Sequence, residues 1–157
     1  MTTAIIIVDH GSRRSESNSM LEEVARLFGD RFAARFDIVE PAHMELAEPS
    51  IATAYNRCVA RGATRIVVCP FFLGPGKHWT QDIPQLTAGA AAKHPGTRYH
   101  ITLTLGIDEL ILDLLNKRVD QCQQNDYLCE KCRGTLRSGE PAPAGGSVVC
   151  DRGVALE

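Results

Sequence analysis

TAIIIV (residues 3–8) runs directly into DHGSRR (residues 9–14), and the reading of that junction decides the fold. The first stretch is rich in β-branched residues and continuously apolar from Ala4 to Val8, which suits a strand buried on both faces of a parallel sheet. Gly11 and Ser12 break it. From Ser15 the spacing of Met20, Val24, Leu27 and Phe28 predicts a helix with polar residues on its other side. Asp37 to Met44 reads as a second strand. Ile51, Ala54, Tyr55, Cys58 and Val59 then recur at helical spacing, and Gly62 stops them. TRIVVCP (residues 64–70) is a third buried strand. Thr80 to Lys93 is read as helix, with Pro84 in a first turn or at a kink. RYHITLTL (residues 98–105) is a fourth strand, and Ile111, Leu114, Leu115 and Val119 mark a last helix. Strand and helix alternate four times, so the expected class is α/β, a four-stranded, mainly parallel sheet flanked by helices.

The chain has 157 residues, which is one domain's worth of core. Apolar residues are 44% and charged residues 23%, close to the soluble globular average, which excludes disordered and fibrous classes. The longest apolar runs are strand-sized, so no membrane partner is expected. A formal charge of −2 argues against a general nucleic-acid binder. Met1 to Thr3 carries no sign of a signal or transit peptide. After about Asn125 the periodic hydrophobics give way to Gly, Pro and Cys. The expected division is therefore residues 1–124 as the α/β domain and 125–157 as an irregular tail.

Three histidines take equivalent topological places. His10 follows the first strand, His43 ends the second, and His78 lies in the loop after the third. Ligands of open α/β sheets bind outside the carboxyl ends of the strands, so all three are expected to face one crevice. Imidazole ligates divalent iron, cobalt, nickel and zinc and accepts a proton near pH 7. Asp9, Glu40, Glu45 and Asp82 are carboxylates near the same edge, suited to orienting ligands or handling protons. With strand parity continued, Glu45 points the same way as His43. Arg13 and Arg14 stand at a helix N-terminus, which favours anions. The loop Leu73, Gly74, Pro75, Gly76 and Lys77 lets backbone approach a ligand closely, while Phe71, Phe72 and Trp79 offer flat apolar surface. A divalent metal and a large, flat polyanion would use this whole set. His94 and His100 lack such a setting and are read as structural. Of six cysteines, Cys122, Cys129, Cys132 and Cys150 crowd into the last quarter, spaced C-x6-C-x2-C-x17-C. Four thiolates suit either tetrahedral zinc or an iron–sulfur cluster.

VDHGSRR, EPAHMELAEPS and PFFLGPGKHW together resemble the small class II chelatases, and within them the sirohydrochlorin ferrochelatases of the SirB/CbiX family. The resemblance covers roughly residues 4–122. It implies insertion of Fe(II) into sirohydrochlorin to give siroheme, with Co(II) or Ni(II) as other metals of such a site. Insertion of cobalt on the cobalamin route and non-catalytic carriage of tetrapyrrole or metal remain the alternatives. It also implies His10 and Glu45 as catalytic residues, and His10, His78 and His43 as metal-binding. Arg13, Arg14 and Leu73 to Lys77 would contact the substrate, with Lys77 where plant-type sequences carry arginine. The plant-type members have a C-terminal cysteine group associated with a [2Fe–2S] cluster, which assigns Cys122, Cys129, Cys132 and Cys150 to iron–sulfur. A four-strand unit supplies half of a two-lobed cleft, so a homodimer is implied. The expected location is the plastid stroma in a plant or alga, otherwise the bacterial cytoplasm.

Overall fold

The computed structural model describes residues 2–127. Its strands are β1 (Thr3–Asp9), β2 (Ile38–His43), β3 (Arg65–Pro70) and β4 (Arg98–Ile101). They form one sheet in the order β2-β1-β3-β4, and every pairing is parallel. α1 (Ser15–Arg31), α2 (Ile51–Ala60) and α3 (Ile83–Ala91) are the crossovers that parallel neighbours require. A single π-helical turn, His78–Asp82, precedes α3.

Side-chain alternation along β1 divides the core into two. Ala4, Ile6 and Val8 join Ile38, Ala42, Ile51, Ala54, Tyr55, Ile66, Val68 and Ile83 in a cluster made with α2 and α3. Ile5 and Ile7 pack against Leu21 and Ala25 of α1 on the other face. β1 is thus apolar at every position from Ala4 to Val8 because both of its faces are covered. Burial pushes the Cys58 thiol up to about 12, as expected of a cysteine that serves as a small apolar filler.

Three boundaries differ from the sequence expectation. α1 buries Leu21 and Ala25, with Val24 and Phe28 packed against them as expected, but leaves Met20 63% exposed, so Leu21 takes the inward place expected of Met20. The fourth strand ends at Ile101, because beyond it residue 102 still bonds to β3 while residues 105 and 106 bond to Phe72 and Leu73 of the next loop. The helix expected from Thr80 begins as the π turn at His78, and Pro84 falls in the first turn of α3, where its missing N–H costs nothing.

Compactness divides the chain after Gly106. In the second unit α4 (Glu109–Gln123) is capped by Asp108, whose carboxylate accepts the Leu110 N–H. Leu112, Leu114, Leu115 and Val119 on this helix are exposed. Among the described residues no helix is long and apolar enough to cross a membrane.

Ile6 is fully buried in the middle of the central strand, where a truncated side chain leaves a cavity that flanking strands cannot close. Ile6→Ala should lower unfolding stability by about 2–5 kcal/mol, read as a shifted midpoint with unchanged slope in urea denaturation.

Candidate metal-insertion site

The strand order places a topological switch between β1 and β3, whose crossovers leave toward opposite faces of the sheet, and a crevice opens outside the carboxyl ends of such a pair. His10 lies immediately after β1, and His78 follows the loop after β3. Their rings meet edge to face, with centroids 5.1 Å apart. Both side chains remain open to solvent, at 42% and 44%.

Each imidazole is keyed to a carboxylate. Nε2 of His10 lies 2.9 Å from Oε1 of Glu45, and its Nδ1 lies 3.2 Å from the Gly11 carbonyl. Nδ1 of His78 lies 2.8 Å from Oδ2 of Asp82, one turn along in the π segment. A proton held on Nδ1 by a carboxylate leaves Nε2 of His78 as the lone pair a metal can take. The Phe72 ring, 6.4 Å from His78 centre to centre, and Trp79, whose indole N–H donates to the Thr102 carbonyl at 3.0 Å, fix the base of this turn.

The backbone explains how Glu45 reaches His10. Beyond the last paired residues of β1 and β2, the Met44 N–H donates to the Asp9 carbonyl and the Glu45 N–H to the His10 carbonyl. Gly11 adopts φ +85°, and a Cβ there would overlap the Glu45 carbonyl oxygen. Only glycine allows the two segments this approach. The turn continues through Ser12, whose N–H and C=O are both bonded by the Asn18 amide of α1.

His43 does not join the other two histidines. β2 ends at this residue with its side chain fully buried, and Nδ1 lies 2.6 Å from Oδ1 of Asp9. The expectation that three histidines share one crevice is not met by this placement, which encloses the His43 side chain. Nor does Glu45 share its direction, since the strand that would carry the parity has already stopped. Glu40 is drawn away as well, to Arg61 at 2.9 Å and Arg57 at 3.6 Å on the α2 side. Among the described residues no three His, Cys, Asp or Glu side chains are gathered so as to hold a metal ion by themselves.

Arg13 and Arg14 are exposed at the start of α1, and Leu73, Gly74, Pro75, Gly76 and Lys77 are all exposed on the loop before His78. Of the cysteine set, Cys122 is half-buried near the end of α4, whereas Cys129, Cys132 and Cys150 lie outside the described residues. His94 stacks on Tyr55 and bonds to Asn56, as befits a structural histidine. Sequence reading named Asp9 and Asp82 only as nearby carboxylates. The four-residue spacing of His78 and Asp82 was a usable signal for their pairing, but nothing local pointed to Asp9 and His43.

The chain is similar to known proteins over most of this unit. It is 53% identical over 135 residues to the chloroplastic sirohydrochlorin ferrochelatase of Arabidopsis thaliana, covering 83% of this chain and 59% of that one. It is 42% identical over 83 residues to the sirohydrochlorin cobaltochelatase of Methanocaldococcus jannaschii, covering 53% and 57% of the two chains. Among solved structures, SirB from Bacillus subtilis with Fe3+ superposes with a TM-score of 0.67 at 34% identity, over 75% of this chain and 46% of that one. The matched part of the chain thus spans about half the length of each of these three relatives. The CbiX family model matches residues 4–122, from the start of the buried central strand past His10 and His78 into α4, and the chain belongs to the CbiX family.

Proposed function

We propose that this chain inserts Fe(II) into sirohydrochlorin to form siroheme. The observation that carries the reading is the meeting of His10 and His78 at the β1–β3 switch point, each with its own carboxylate. Insertion exchanges one divalent cation for the two protons on the pyrrole nitrogens, so a site must bind a metal weakly and remove protons. His78, its Nδ1 engaged by Asp82, offers Nε2 to the incoming ion. His10 and Glu45, paired at 2.9 Å, take up the two pyrrole protons in turn, and Glu45, which is 53% exposed, releases both to water. Neither step changes an oxidation state or makes a covalent intermediate.

The ring's carboxylates would be met by Arg13, Arg14 and Lys77, all exposed around the crevice. Leu46, Phe71 and Leu73, exposed on the loops after β2 and β3, supply apolar surface for its face. Co(II) is a second metal for the same site, because imidazole and carboxylate do not separate it from Fe(II) and the archaeal relative is named for cobalt. Anaerobic incubation with sirohydrochlorin and each metal, followed by absorbance, tests the reading. Many products per chain support an enzyme; one equivalent per chain would leave a tetrapyrrole carrier.

His10→Ala should lower the insertion rate by about 100-fold or more while the thermal melt stays that of the parent, and His78→Ala should be similarly impaired. A His10→Ala variant that kept most of its rate above the uncatalysed reaction would remove the assigned role.

Two copies would complete the cleft, since one chain aligns with 46% of the Bacillus chain and leaves apolar loop residues uncovered. Light scattering at micromolar concentration should give about twice the 17.1 kDa chain mass. Full activity in a monomer would count against the second copy.

We assign Cys122, Cys129, Cys132 and Cys150 to an iron–sulfur cluster on the resemblance to plant-type members, a donor set that four thiolates would also offer to zinc. Protein purified without oxygen should carry visible absorption and acid-labile sulfide, both lost in the Cys129→Ser, Cys132→Ser double variant. Insertion should persist in that variant, because the chemistry above uses no electron transfer. Stoichiometric zinc in place of sulfide would reassign the cysteines.

A further inference from the structure

Asp9 and His43 stand opposite each other in the parallel register of β1 and β2. The Asp9 oxygen that receives His43 Nδ1 at 2.6 Å also accepts the Gly11 N–H at 2.9 Å. One carboxylate oxygen thus ties the end of β2 to the turn that carries His10. Charge-assisted bonds of this kind are short and strongly directional. The other ring nitrogen of His43, Nε2, is buried and has no hydrogen-bond partner among the described residues. A bare polar atom in the interior makes imidazole a poorer filler than leucine of similar bulk. What imidazole adds at this position is the Nδ1 donor. From the other side Gly11 lies against the His43 Cβ, and Glu45 follows His43 by two residues on the segment bonded to the Asp9 and His10 carbonyls.

The geometry points to His43 as a positioning residue: through Asp9 it holds the Gly11 turn, and so sets His10 against Glu45, without touching metal or ring. The inference deepens the insertion reading and rests on it.

Full-length protein carrying His43→Asn or His43→Leu tests the role. The asparagine amide nitrogen falls where Nδ1 lay and still donates to Asp9; leucine keeps the bulk and loses the donor. His43→Asn should keep kcat and Co(II) affinity within about threefold of the parent. His43→Leu should lose about 10–100-fold in kcat, the usual effect of removing a group that orients a ligand, with KM for the ring nearly unchanged. A parental kcat in His43→Leu would overturn the inference. So would an equal loss of Co(II) affinity in both variants, which would make His43 a ligand. Should His43→Leu fail to fold, retained or lost activity in His43→Asn still decides between donor and ligand. If the parent itself inserts no metal, the insertion reading fails, while Co(II) titration still separates the two roles: asparagine retaining and leucine losing affinity supports positioning, and parity among all three proteins overturns it.

Discussion

A strand bonded to parallel neighbours along both edges and covered by helices on both faces can place polar groups only at its ends. β1 is such a strand, with Ala4 to Val8 wholly buried and Asp9 and His10 following. Its register with β2 puts Asp9 beside His43, and its register with β3 sets Val8 beside Pro70, from which the next loop departs. The chemistry of the molecule is therefore gathered where the apolar run stops. A slip of one residue along β1 would turn Ile6 out of the larger core cluster and separate Asp9 from His43.

The site that results contains two kinds of histidine. His10 and His78 are half-exposed and meet at 5.1 Å, each beside its own carboxylate. His43 is enclosed, and its bond to Asp9 lies in the frame beneath them. An arrangement with two open imidazoles on a rigid floor suits a cargo ion that must enter and leave. Four tight ligands would hold a divalent ion as a resident cofactor, which would not suit the insertion proposed above.

The cysteines of the tail stand apart from this floor in sequence, with Cys122 in α4 and the other three after it. The insertion proposed above makes no use of an electron carrier. On the proposed reading a cluster there would serve control or supply, and the chemistry would rest on residues between β1 and the π turn.

Much of this was legible in the residues themselves. Four alternations of buried strand and amphipathic helix follow from periodicities of two and 3.6, which are local properties. His10, Glu45 and His78 stand beside strand ends, and the parallel topology converts that position in sequence into a position in space. The tertiary structure alone decided which way each side chain turns. His43 has the same sequence context as His10, yet it is buried, because its partner Asp9 arrives through a register no local pattern encodes. Glu40 was read as a site carboxylate and instead meets Arg61, 21 residues away. Leu21 displaces Met20 from the core face of α1 because the neighbouring sheet, not the helix, determines which of two adjacent apolar positions is covered. Local sequence sets what an element is; the packing of other elements sets which of its faces they enclose.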